Sequence, residues 1–175
     1  MRVAVEPSLL ADDYPFAHRI RVRFAETDAM AVVHHGRYLP YLEAARVEYL
    51  RHLGHPYTEW REQGVDAAVL EVFVQYRQAL RFDDVVDVHV RLAVVTRATF
   101  QMAYLLTRDG DAVATGVTVH GAVTADGRPT RLPRWLVEMV ASLRAGSRLT
   151  STSGTPTSSA TATARGPTST PWIGA

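Results

Sequence analysis

Eleven consecutive residues hold most of the groups that could do chemistry: Thr27-Asp28-Ala29-Met30-Ala31-Val32-Val33-His34-His35-Gly36-Arg37. Taken alone, Asp28 reads as a turn or N-cap aspartate. A carboxylate is ordinarily ionised at neutral pH, and a helix start beside it would favour that charge. The adjacent histidines allow three readings. As metal ligands they are poorly arranged, because neighbouring side chains usually point apart and no third ligand follows at helical spacing. As a general base, one of them could take a proton from a reacting group. Otherwise they shape and polarise the loop, the reading favoured here. The loop feeds the start of a helix, where several backbone N–H groups have no internal acceptor. Tyr38 heads that helix as a core residue or as pocket lining, and Glu43 reads as a partner for Arg46 three residues on. The sequence contains neither cysteine nor lysine. That excludes a thiol nucleophile, thiolate metal sites, Schiff-base chemistry and a P-loop lysine. Any phosphate contact falls to arginine or to backbone N–H groups.

The flanking segments must position this loop. His18–Glu26 alternates, with Arg19, Arg21 and Arg23 opposed to Ile20, Val22 and Phe24, which predicts a half-buried strand. From Tyr38 to about Leu53, apolar residues recur every three or four positions (Tyr38, Tyr41, Leu42, Ala45, Tyr49, Leu53). Glu43, Arg46, Glu48 and Arg51 lie off that stripe, so a helix ending at Gly54 is expected. Pro56 opens a second, short helix that Gly64 ends. Val65–Gln78 is apolar on both faces in its middle, which predicts a central strand. Val85–Thr96, Thr99–Thr107 and Ala112–Thr124 are further strands, the last two joined by an Asp109-Gly110 turn. Leu132–Leu143 closes as an amphipathic helix. Long antiparallel strands twist and curl, and one helix would fill the concave side. The expectation is an α+β two-layer domain with a curved antiparallel five-stranded sheet around one long helix. Its convex face carries few charges, so that face or an edge is expected to pair with a second subunit.

The stretch RVRFAETDAMAVVHHGRYLPYLEAARVEYLRHLG (Arg21–Gly54) resembles the hot-dog-fold acyl-CoA thioesterases of the 4-hydroxybenzoyl-CoA thioesterase type, including the Tol–Pal-associated acyl-CoA thioesterases. The likeness rests on four features. An Asp lies just after the first strand, a Val-Val-His-His run follows, and a Tyr opens the helix ten residues after the Asp. The helix itself reads Glu-Ala-Ala-Arg-x-Glu-Tyr-Leu. In element order the resemblance extends over residues 18–143. It implies a hot-dog fold and hydrolysis of a thioester to a carboxylic acid and free coenzyme A, with no metal or redox cofactor. In that likeness Asp28 attacks the thioester carbonyl or activates a water, and the His35 backbone N–H donates to the oxyanion. His34, Arg37 and Tyr38 would contact substrate. Arg97 and Thr99, at the turn between the third and fourth strands, are the expected coenzyme A contacts, with Arg131 and Arg134 as alternatives. The resemblance also implies a homodimer or homotetramer with substrate in a crevice between subunits. Two alternatives stand beside it: release of an acyl chain from an acyl-carrier protein, and a non-enzymatic acyl-CoA-binding module. Ala31 stands where such sequences often carry glycine, and Arg37 where they often carry asparagine. Glu43 is a helix carboxylate of the kind some hot-dog thioesterases use, but the Gly-Gly pair that accompanies it there is missing.

The 175 residues suffice for one domain, and 47% apolar with 21% charged residues predicts a globular body. A net charge of +1 provides no strong field for nucleic acid. No apolar run approaches the roughly 18 residues of a membrane span. The first residues lack the pattern of an export signal, so the cytoplasm is the expected compartment. Of the last 31 residues, 26 are Ser, Thr, Gly, Pro or Ala. The expected division is therefore an N-terminal extension (1–17), the domain (18–144) and a disordered tail (145–175).

Overall fold

A computed structural model describes residues 3–139; the expected tail and the end of the closing helix lie outside the described residues. Five strands form one antiparallel sheet: β1 (Phe16–Arg21), β2 (Asp66–Tyr76), β3 (Val85–Val95), β4 (Thr99–Arg108) and β5 (Asp111–Val123), in the order β1-β3-β4-β5-β2. The turn residues fix the β4–β5 hairpin, since Asp109 (φ 53°) and Gly110 (φ 89°) both adopt the positive φ that a type I′ turn needs. Helix α1 (Tyr38–His52) fills the concave side, and the short α2 (Tyr57–Glu62) follows it. Val86, Val88 and Val90 of β3 and Phe100, Met102 and Tyr104 of β4 join Tyr41, Leu42, Ala45 and Tyr49 of α1 in one core. At Gly116 the helix packs close on the sheet: a Cβ there would lie 3.0 Å from Leu42 Cδ1, so a side chain at that point would have to shift the Leu42 methyl by a few tenths of an ångström.

Four expectations are corrected by the structure. β2 is not central but an edge strand, with Val69, Leu70, Val72, Phe73 and Tyr76 each 40–55% exposed. Its apolar composition does not record burial within one chain. The first strand is shorter than expected and ends at Arg21. Phe24–Glu26 turn instead into a 3-10 turn, because the Glu26 carboxylate accepts the Arg23 N–H at 2.8 Å and pulls the chain round. Phe24 therefore points outward, edge-on to Phe82, at 75% exposure. Arg46, placed off the apolar stripe, is buried, its guanidinium 5.6 Å from the Tyr57 ring centroid. The curled sheet covers more of α1 than a flat one would. Glu48 does pair with Arg51 as its spacing suggests, while no ion pair joins Glu43 to Arg46 among the described residues.

The residues read as an N-terminal extension lie against the outer face of the sheet. Tyr14 and Val5 pack on Ala103 and Leu105, and Ala4 N–H donates to Gln101 Oε1 at 3.1 Å. Arg91 sits 5.7 Å over the Tyr14 ring. β4 is consequently buried on both faces.

Candidate active site

The loop between β1 and α1 is held by backbone pairing rather than by bulk. Asp28 N–H donates to Val32 O (2.9 Å), and Ala31 N–H donates back to Asp28 O (2.9 Å), closing a tight turn. Ala31 sits at φ 58°, where glycine is the usual residue. Asp28 Oδ1 accepts the Met30 N–H at 2.8 Å, an Asx-turn bond that leaves Oδ2 without a partner among the described residues. Val33 N–H donates to Leu80 O (2.8 Å) and His34 N–H to Glu26 O (2.9 Å), which anchors the loop to the β2–β3 connection and to the turn after β1. The chain then makes a 3-10 turn, His35–Arg37, with His34 as its cap: His34 Nδ1 accepts the Gly36 N–H at 3.2 Å. As the first residue of that turn, His35 has no internal acceptor for its own N–H.

Asp28, Val32, Val33, His35, Tyr38 and Tyr76 surround a pocket of about 340 Å³, which Arg77, Gln78 and Ala79 complete. A second recess of about 470 Å³ lies on the other side of Asp28, against Glu26, Thr27, His34, Gly36 and Arg37. Asp28 thus lines both a mainly apolar pocket and a recess of mixed polarity. Arg37 is exposed, and among the described residues no ion pair joins it to Asp28. Tyr38 is buried at the pocket floor, edge-on to Tyr76 at 4.9 Å. Burial, with Tyr76 close by, pushes its hydroxyl up to about 12, so it stays protonated at neutral pH.

The structure therefore gathers Asp28, His34, His35, Arg37 and Tyr38. It does not bring Arg97 and Thr99 to them within one chain. Those two lie at the β3–β4 turn, whereas the loop joins the sheet where β3 begins, at Asp84. Some ten residues of strand, roughly 30 Å, separate the ends. The Leu132 N–H bond to Arg97 O places the segment before Arg134 at the same far end.

Two residues of the site are not evident from its motif. Glu26 is buried, its Oε2 accepting from Tyr41 Oη (2.6 Å) and from Arg23 N–H (2.8 Å), its Oε1 from the Arg23 guanidinium (2.6 Å). Burial pushes its carboxyl up, but those three donors together outweigh it and hold it below the usual glutamate range. Tyr76 donates from Oη to His35 O at 3.0 Å. Strand alternation puts Tyr76 on the helix-facing side of β2 with Val72 and Val74, but does not by itself bring it to His35.

Residues 22–140 match the sequence family described as the thioesterase-like superfamily. The chain belongs to that family. It is a thioester hydrolase with the hot-dog architecture, a long helix wrapped by a five-stranded antiparallel sheet. The enzyme is 36% identical over 98 residues to the acyl-CoA thioesterase YbgC of Haemophilus influenzae, a match covering 55% of this chain and 72% of that one. It is similar to the crystal structure of an Aquifex aeolicus protein (39% identity, 71% of this chain and 98% of that, TM-score 0.68). A thioesterase of Thermus thermophilus, solved in complex with coenzyme A and zinc, is 30% identical over 75% of this chain and 96% of its own, with a TM-score of 0.64. Among the described residues of this enzyme, no three His, Cys, Asp or Glu side chains gather to share a metal ion.

Proposed function

We propose that the enzyme hydrolyses acyl-CoA thioesters, with Asp28 as nucleophile or general base and the His35 N–H as oxyanion donor. The observation that carries this is the shared pocket. Asp28, whose carboxylate has one oxygen tied to Met30 N–H, and His35, whose N–H has no internal acceptor, line the same space. Val32, Val33, Tyr38 and Ala79 supply an apolar wall for the acyl group. In the reaction the thioester C–S bond breaks, water supplies the new C–O bond, and coenzyme A leaves as a thiol. Asp28 either forms a transient anhydride that water opens, or takes the proton from the attacking water. Negative charge on the carbonyl oxygen falls to the His35 N–H; one such donor is typically worth about 10²–10³ in rate. The acyl-CoA thioesterase activity of the Haemophilus relative supports the acyl-CoA class, and the Thermus neighbour was solved with coenzyme A.

Arg77 lines the pocket, and Arg37 and His34 line the recess that shares Asp28 with it, so these groups are at hand for the phosphates and pantetheine arm. Arg97 and Thr99 would reach a ligand at this mouth only from a second copy of the chain. The open β2 edge, which carries Tyr76 and leads to Arg77, is the surface on which a second copy would complete the crevice. Thiol release from a panel of acyl-CoAs and an acyl-carrier-protein substrate tests the reading. Asp28→Asn is expected to cut turnover at least about 100-fold, with the far-ultraviolet circular dichroism and oligomer size of the parent. A variant as fast as the parent removes Asp28 from the mechanism. Faster release from the carrier protein than from any acyl-CoA would reassign the substrate.

A further inference from the structure

The His35–Gly36 peptide is gripped at both of its polar ends. Its carbonyl accepts from Tyr76 Oη at 3.0 Å, and its N–H donates to His34 Nδ1 at 3.2 Å. The peptide before it, His34–His35, is pinned by its carbonyl, which accepts the Arg37 N–H at 2.8 Å. A trans peptide points its N–H opposite to its C=O, so fixing the His34 carbonyl also fixes the direction of the His35 N–H. Flipping that N–H alone would break the Arg37 bond, and shifting the turn as a whole would break the two outer bonds as well. Both grips come from side chains held by ring contacts. Tyr76 meets Tyr38 edge-on at 4.9 Å, and the His34 ring lies 4.1 Å from the His35 ring. Tyr76 arrives from β2, forty-one residues along the chain, which ties the loop to the sheet at the pocket itself.

We infer that Tyr76 and His34 are positioning residues that aim the His35 N–H at the thioester oxygen, through the His35–Gly36 peptide rather than by touching the reacting atoms. This rests on the thioesterase mechanism proposed above. It also assigns His34 a role that uses its unprotonated Nδ1 as an acceptor, not its capacity to shuttle a proton.

The test is a set of point variants of the full chain assayed on the best acyl-CoA of the panel. Tyr76→Phe keeps the ring against Tyr38 and removes only the hydroxyl. Its kcat is expected to drop about 10-fold with KM within about 2-fold, since misaiming a donor weakens the transition state and not ground-state binding. A hydroxyl that merely braced β2 would lower the melting temperature and leave kcat alone. His34→Ala is expected to lose a similar factor, and His34→Asn to recover most of it. The Asn Oδ1 lies as many bonds from Cα as Nδ1 and is a strong N-cap acceptor. Parental kcat in Tyr76→Phe overturns the inference, and so does a His34→Asn variant as slow as His34→Ala. A parent that releases no coenzyme A from any substrate overturns the mechanism itself and this inference with it. An active parent, an inactive Asp28→Asn and a normal Tyr76→Phe sink only the positioning role.

Discussion

Ala31 is a single methyl group in the wrong part of backbone space. The turn that presents Asp28 needs a positive φ three residues on, and the chain adopts φ 58° there with a Cβ in place. That conformation costs an L-residue roughly 1–2 kcal/mol, partly offset by the smaller entropy that alanine loses on folding. Ala31→Gly is therefore expected to stabilise the protein by about 0.5–1 kcal/mol, read as a higher urea midpoint at unchanged slope. An unchanged or lower midpoint would mean the loop holds no strain at Ala31. The same turn explains what was visible in the sequence at this level. Asp28, His34, His35, Arg37 and Tyr38 lie within eleven residues, so local spacing was enough to gather them. Tyr76 and Glu26 join the site through β2 and through the turn after β1, and no short-range pattern announces a bond such as Tyr76 Oη to His35 O. Arg97 and Thr99 lie apart for another reason: the sheet register puts the β3–β4 turn at the other end of one chain, so only a second copy could bring them to the mouth.

The elements that read correctly are those whose burial is decided by one partner. α1 ends within a residue of the expected Leu53, and β3 to β5 fall where alternation and the Asp-Gly turn set them. The junction of β1 and α1 was less legible because a buried acid decides it. Glu26 links three pieces: Arg23 at the end of β1, Tyr41 in α1, and, through its carbonyl, His34 in the active loop. Its folded carboxyl titrates below the ordinary glutamate value of 4.5. The sign follows directly. The unfolded chain takes up a proton at Glu26 before the folded one does, so this contribution is full above about pH 4.5 and is lost as pH falls through the lower folded value. Glu26→Gln is expected to lower the melting temperature at pH 7 by several degrees, because the amide cannot accept from all of Tyr41, Arg23 N–H and the guanidinium. The gap to the parent should then narrow between pH 5 and pH 3. A gap that stays constant with pH would show that the charge of Glu26 contributes nothing and only its shape matters.

The two free edges of the sheet are built differently. β1 is six residues long and guarded by ion pairs, Arg19 with Asp87 at 2.8 Å and Arg21 with Asp83 at 2.9 Å. β2 is eleven residues long and presents Val69, Val72 and Tyr76 on one side and Phe73 on the other, all at least 40% exposed. A long apolar edge of this kind invites pairing with another strand, and natural sheets leave one open where they mean to use it. The outer face is less available than composition suggested, since residues of the 3–15 segment already cover β4. Val65–Gln78 read as a central strand because its composition is that of a strand buried on both faces, whereas within one chain it is an open edge. Antiparallel pairing of β2 with β2 of a second copy would satisfy the open backbone groups and cover both apolar rows in a twofold contact. Val72→Lys places a charge in the middle of that edge at a position already 40% exposed in the single chain. On that pairing the parent is expected to scatter light as a dimer or larger and the variant as a monomer with its circular dichroism intact, and turnover to be abolished because Tyr76 and Arg77 of the pocket lie on and beside the same strand. A parent that elutes as a monomer at micromolar concentration, or a lysine variant that remains dimeric and active, would show that β2 is an idle edge and that one chain carries the whole site.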